Sequence, residues 1–282
     1  MPGVNEQMLA EYFRTAEGRE VIAQSMYEPF KEGRDYVGIA RKCIFVDNVP
    51  NGAPMWYDKD PQFSAYVAGV MGSAPQEIIK GTRVELAPFP IVVLVRIPIL
   101  ETAVRRFNIL DRSQVRARAE MAEQEDTQFI SMLEYAATRA TAKAGVTTGV
   151  YTQPTRTSLA ELYSLIEKND APVANVLMHA TDYRHIRTWT GTDFDPVTRR
   201  ELLKTGYMGD LWGAQIRISK IVTAKKVYAL ADPEFLGVIS VRIDLDTMEA
   251  NQPENLMYGW VFYEYIGMAI ITDVGVARMQ LT

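Results

Sequence analysis

The spacing of apolar residues changes several times along the chain, and each change marks a different element. Over residues 5–30, Met8, Leu9, Tyr12, Phe13, Val21, Ile22 and Met26 recur among many charges, with Gly18 between two short amphipathic helices. This pattern predicts a strap that lies on another surface. From Ala40 to Ala103 helical spacing disappears, and Pro50, Pro54, Pro61, Pro75, Pro88, Pro90 and Pro98 exclude a long helix. Ile44-Phe45-Val46 and the alternating stretch Val93 to Ile99 read as strands, and Asn51-Gly52 as a tight turn. So long a run of strand, turn and proline exceeds an ordinary connection. A hairpin-like excursion that works as a partner-binding arm is the favoured reading, with an ordinary β-subdomain packed on its own core as the alternative. Trp56, Tyr57, Phe63, Tyr66, Val67, Phe89, Ile91 and Val92 make it too apolar to stand in water as one patch.

A single long helix follows, from Asp111 or Ser113 to about Lys143, with Gly145 as its stop. Val115, Ala119, Ala122, Asp126, Phe129, Leu133, Ala136 and Ala140 repeat at spacings of three and four, which makes one face of mostly small residues. Such a face suits close backbone support rather than a leucine-zipper seam. The acidic run Glu120 to Asp126 reads as a solvated face. After Gly145 to Gly149 and Pro154 the chain alternates. Ser158 and Glu161 have capping-box spacing for a helix closed by Pro172. Ala174 to Met178 reads as a buried strand, Thr181 to Trp189 as a short helix, and Asp195-Pro196 opens another through Leu203. Strands dominate the remainder: Gln215 to Val222, Lys226 to Ala231, Val238 to Asp244, Tyr258 to Ile271 and Val276 to Leu281. The fold class is α+β.

Composition adds constraints. Thirty Lys and Arg against 35 Asp and Glu leave a net charge of −5, which argues against a surface devoted to clamping phosphates. The one cysteine, Cys43, cannot form an internal disulfide and reads as a small buried hydrophobe. The N-terminus lacks the charged start and apolar stretch of a secretory signal. Neither Ile91 to Val95 nor Met268 to Ile271 approaches the roughly 20 apolar residues that cross a bilayer.

Candidate chemistry is sparse. His179, Asp182 and His185 form the one metal-like constellation, but their spacing matches no zinc signature. Lys80-Gly81-Thr82 has phosphate-loop residue types in the wrong order. Asp244, Asp246 and Glu249 suggest a calcium loop, yet Met248 stands where an oxygen ligand belongs and Glu249 where the turn needs glycine. Arg105, Arg106, Arg112, Arg116 and Arg118 form a basic stretch suited to carboxylates, as Arg116 and Glu120 are at i, i+4, or to a neighbouring subunit. No catalytic, cofactor-binding or metal residue is assigned, and no cofactor is expected.

The order of strap, excursion, long helix, α/β region and strand-rich end resembles the major capsid proteins of tailed phages, the Hong Kong 97-type shell fold shared with encapsulins. Met208 to Ser219 is similar to that family's Gly-rich approach to an axial-domain strand, Lys226 to Gly237 to the stretch before the return, and Trp260 to Met279 to its terminal strand pair. The resemblance implies an N-terminal arm over residues 1–40, an extension loop over 41–104, a peripheral domain with spine helix over 105–150, an axial domain over 151–254, and C-terminal strands over 255–282 returning to the peripheral domain. It further implies a non-enzymatic subunit that assembles as hexamers and pentamers into an icosahedral virion shell around double-stranded DNA, in the host cytoplasm. Scaffolding or maturation protease, portal and decoration proteins are its implied partners, and no membrane is involved. The crosslinking Lys and Asn of some members have no place in this sequence. Rival readings are an encapsulin-like compartment and a soluble α/β metal-dependent hydrolase using His179, Asp182 and His185.

Overall fold

A computed structural model describes residues 35–59, 82–100, 109–140, 146–147, 149–189 and 210–282. The fold is α+β, and contacts divide it into two units: Met1–Val37, Ile91–Gln124 and Leu245–Glu264 in the first, and Gly38–Pro90, Glu125–Asp244 and Tyr265–Thr282 in the second. No helix among the described residues is long and apolar enough to cross a membrane.

The second unit contains a five-stranded sheet. Its strands are β5 (Val173–Met178), β6 (Asp210–Leu211), β7 (Ala214–Ile218), β8 (Lys226–Ala231) and β11 (Val276–Gln280), in the order β11-β8-β5-β7-β6. β5 runs parallel to β7 and antiparallel to β8, so it is central, and its last four residues are buried. Such a strand must be apolar on both faces, which is why Val176-Leu177-Met178 lacks polar alternation. Helix α3 (Arg156–Glu167) lays Leu159, Leu162, Tyr163 and Ile166 into the core, the i, i+3, i+4, i+7 stripe of an amphipathic helix. Its capping box is Thr155 with Ser158, not Ser158 with Glu161. The Thr155 hydroxyl accepts from the Ser158 N–H at 3.2 Å, and the Ser158 hydroxyl accepts from the Thr155 N–H at 2.8 Å. Glu161 is drawn away instead, taking hydrogen bonds from the Tyr151 hydroxyl at 2.5 Å and the Gly149 N–H at 3.3 Å. Helix α4 (Ala180–Arg187) follows β5 directly, where Thr181 to Trp189 was expected. The helix expected from Asp195 to Leu203 lies outside the described residues.

A second sheet has the order β1-β9-β10-β4, with β1 (Phe45–Asn48), β4 (Phe89–Pro98), β9 (Gly237–Glu249) and β10 (Met257–Ile270). β1 pairs in parallel with β9, from Phe45 opposite Val238 to Asn48 opposite Val241. The turn at Asn51-Gly52 forms, but it does not fold β1 onto the next strand. β2 (Trp56–Asp58) pairs instead with β3 (Arg83–Glu85), antiparallel, as the base of an excursion whose residues 60–81, Phe63, Tyr66 and Val67 among them, lie outside the described part. Met55, Leu86 and Val238 form a small core beneath it. Two glycines mark close backbone approaches along β9 and β10. A Cβ on Gly237 would stand 2.9 Å from the Ile270 Cα, and one on Gly259 would stand 3.1 Å from the Ala250 carbonyl carbon.

Helix α2 (Ile109–Ala140) has 32 residues, about 48 Å at 1.5 Å per residue. Phe129, Leu133 and Ala136 are buried as the periodicity required, and Ala117, Met121 and Ile130 join them, whereas Val115 is 46% exposed. The acidic run is not a solvated face throughout. Glu120 is exposed, but Glu125 and Asp126 are 5% and 1% exposed, because both bind the chain segment around Ala40.

Thr155→Ala removes one half of the box and is expected to cost about 1 kcal/mol, while Leu162→Ala empties a core position at about 2–5 kcal/mol. Urea denaturation followed by circular dichroism measures both.

Candidate functional site

The residues singled out for chemistry are absorbed into local structure. His179 is the N-cap of α4, its Nδ1 accepting from the Thr181 N–H at 3.2 Å and lying 2.7 Å from the Thr181 hydroxyl. Asp182 is buried and accepts from the Lys225 N–H at 2.8 Å. His185 sits in the last turn, where its carbonyl accepts from the Thr188 hydroxyl at 2.7 Å. The three are not brought to one point, and among the described residues no group of three or more His, Cys, Asp or Glu is arranged to hold a metal ion. Asp244, Asp246 and Glu249 lie along extended β9 rather than around a loop. Asp244 accepts from Arg41 at 2.9 Å, and Asp246 accepts from the Tyr263 hydroxyl at 2.8 Å and the Thr247 N–H at 2.7 Å, bonds that hold its carboxyl below the usual range. Lys80, Gly81, Arg105 and Arg106 lie outside the described residues. Cys43 is fully buried, and burial pushes its thiol up to about 12, so it is an inert core residue.

The strongest polar constellations join α2 to its surroundings. Asp126 accepts from the backbone N–H groups of Ile39 and Ala40, both at 2.8 Å. Helix α1 (Ala40–Cys43) thus starts on a buried carboxylate. Beside it, Arg41 Nε donates to both oxygens of Glu125 at 3.0 Å. Burial pushes the Glu125 carboxyl above its ordinary range, and Arg41 restrains that rise. Farther along α2, Glu134 accepts from Lys226 Nζ at 2.9 Å, from the Tyr228 hydroxyl and from the Arg278 guanidinium. Burial opposes its ionisation, but these three donors prevail and hold the carboxyl below the usual range. In the first unit, Arg112 grips Asp35 through two bonds of 2.7 and 2.8 Å, and Arg116 pairs with Glu120 at 2.7 Å. Two members of the basic stretch therefore bind carboxylates of their own chain.

What remains for function is surface. A groove of about 570 Å³ in the second unit is lined by Phe45, Tyr57, Lys59, Phe235, Val238 and Asp273 among others. Phe45 and Phe235 are 53% and 47% exposed. Trp56, at the base of the excursion, stacks under the Arg83 guanidinium at 3.8 Å, which Asp58 holds at 3.0 Å. Trp212 occupies a two-residue hairpin turn between β6 and β7 with Gly213, at φ of 51° and 86°. A positive φ is costly for an aromatic residue, and edge-on contact of Trp212 with the Tyr163 ring, centroids 5.3 Å apart, stabilises it. In the first unit Val92, Leu94, Val115, Met248, Leu256 and Tyr258 are exposed. Exposed large apolar and aromatic residues in this number are the mark of surfaces that meet other proteins. Sequence reasoning named Trp56 and Val92 for this role. It missed Phe235 and Trp212, whose exposure depends on which face of a short turn meets solvent.

No family model and no curated protein matches the sequence. Solved structures do match in fold. A chain from Microbacterium phage Oxtober96 superposes with a TM-score of 0.68 at 12% identity, over 95% of this chain and 98% of that one. The capsid structure of the cyanophage P-SCSP1u gives 0.66 at 11% identity, over 95% of each chain. The capsid of the empty GTA particle, computed with C5 symmetry, gives 0.66 at 14% identity, over 95% and 98%. The fold is that of phage capsid chains.

Two pH responses follow from the buried acids. Glu134 has a lowered pKa in the folded chain, so its contribution is present above the ordinary carboxylate pKa and is lost as pH falls through the folded value. Glu134→Gln is expected to lower stability at pH 7 and to flatten the acid limb of a stability-against-pH curve. Arg41→Ala leaves the buried Glu125 without its guanidinium, at an expected cost of about 3 kcal/mol at pH 7. Because the Glu125 pKa is raised, that cost shrinks as pH falls through it, which urea titrations at pH 7 and pH 5 measure.

Proposed function

We propose that this chain is the major capsid protein of a tailed phage, a subunit that assembles with copies of itself into the icosahedral shell around a double-stranded DNA genome. The observation that carries the proposal is the fold match along nearly the full length of both partners, 95% of this chain and 95% or 98% of chains solved as capsids. Coverage of this kind leaves no large domain for another activity. The physical character of the chain supports it. Apolar side chains exposed in both units gain their burial from neighbours, and an acidic chain suits a wall that retains DNA by enclosure rather than by gripping phosphates.

In this reading residues 1–40 are the N-terminal arm, 41–104 the extension loop, 105–150 the peripheral domain with its spine helix, 151–254 the axial domain, and 255–282 the returning strands. The antiparallel pair β2–β3 supports the loop assignment, since it closes the base of an excursion. The length of α2 supports the spine. The subunit has a structural rather than a catalytic role, it occurs as hexamers and pentamers, and it assembles in the bacterial cytoplasm with a scaffold or maturation protease, a portal and decoration proteins as partners. Weak contacts suffice, because closed symmetry repeats each of them many times.

Negative-stain electron microscopy of the expressed chain, alone and with the neighbouring genes of its operon, tests the proposal. Closed shells, or rings of five and six, are expected. A chain that stays monomeric under both conditions rejects it.

A further inference from the structure

Among the described residues β4 is the outer strand of its sheet, with β10 on its inner side. The Ile99 N–H donates to the Leu256 carbonyl at 2.9 Å. The Val95 carbonyl oxygen stands 3.5 Å from where a Gly259 Cβ would be. Later residues of β4 thus meet earlier residues of β10, the antiparallel sense, and the odd-numbered residues turn their peptide groups inward. Antiparallel strands alternate, so the even-numbered residues turn theirs to the open edge. Two of these are Pro90 and Pro98, which have no N–H to offer. Between them Val92, Leu94 and Arg96 present both N–H and C=O, and Val92 and Leu94 are 54% and 47% exposed. An edge this apolar is a template for strand addition unless something covers it.

The window is symmetric. Pro90 and Pro98 are equally far from Leu94, and only an antiparallel copy of the same strand uses every outward group between them. We propose that two copies of this chain pair β4 to β4 about a two-fold axis through Leu94. Leu94 then lies opposite its own counterpart as a hydrogen-bonded pair, and Val92 of each copy lies opposite Arg96 of the other. The two arginines do not face each other, and about six backbone hydrogen bonds form. The prolines end the ribbon at both sides, which limits it to two copies. So short a contact falls below the roughly 1,200 Å² of a stable independent interface. It therefore rests on the shell reading above, in which repetition makes a weak pairing count.

Thiol crosslinking of the full chain tests the register. The one natural cysteine, Cys43, is buried, so an introduced thiol reports alone. Directly opposed residues of a hydrogen-bonded pair have Cα atoms about 5.5 Å apart, within disulfide range. Oxidation of Leu94→Cys should convert shells, or concentrated soluble chain, to covalent dimers. Val92→Cys and Arg96→Cys should each give none, while their mixture does. Leu94→Lys, which sets like charges opposite each other, should abolish the pairing with the far-ultraviolet circular dichroism spectrum unchanged. If the parent chain forms shells but Leu94→Cys stays monomeric on oxidation, or if Val92→Cys crosslinks to itself as readily as the mixture does, the two-fold pairing is wrong and the shell reading stands. Failure of the parent chain to form shells, with Leu94→Cys still dimerising in solution, has the opposite meaning.

Discussion

Two adjacent carboxylates in the middle of α2 hold the fold's entrance in place. Asp126 receives the first N–H groups of α1, and Glu125 receives Arg41, so the chain that arrives from the N-terminal segment is fastened before β1 begins. Burying two neighbouring acids is costly unless each is matched by donors. Here the donors are backbone amides for one and a guanidinium for the other. Glu134 repeats the device with Lys226, Tyr228 and Arg278, and binds the same helix to β8 and β11. A long helix with small apolar residues gives little area for hydrophobic adhesion, and the three acids supply the fixed points that Ala117, Ala119 and Ala136 cannot.

Much of this architecture was legible in the sequence, for physical reasons that vary with the element. β8 occupies Lys226–Ala231 as expected, and β10 and β11 differ from expectation by a residue at their ends, because Pro and Gly bound apolar runs that only a strand accommodates. The long helix was visible from its period. Its charge was misjudged: Glu125 and Asp126 look solvated in sequence, since nothing local reveals that residues more than eighty positions earlier supply their partners. The capping box was placed one turn late for a similar reason, as Glu161 has the right spacing but Tyr151 and Gly149 claim it.

The candidate site shows the same division. A sequence poor in histidine and cysteine points away from common catalytic sets, and His179, Asp182 and His185 serve as cap, buried acceptor and last-turn residue. Surfaces are harder to read than motifs. Val92 is visibly apolar in the sequence, but its openness to solvent follows from β4 standing last in its sheet, a matter of topology. Trp212 is exposed because a two-residue turn leaves one ring face without a cover.

The close approaches at Gly237 and Gly259 carry a mechanical consequence. Each glycine sits where the neighbouring backbone leaves no room for a Cβ, one beside Ile270 and the other beside Ala250. Sliding β9 by a single step would drive the side chain of Val238 or Leu236 into the first notch, and sliding β10 would do the same with Tyr258 or Trp260 at the second. A strand pair keyed in this way cannot creep under sustained load. Stress applied at one end is transmitted along it as a rigid lever, rather than dissipated by slippage.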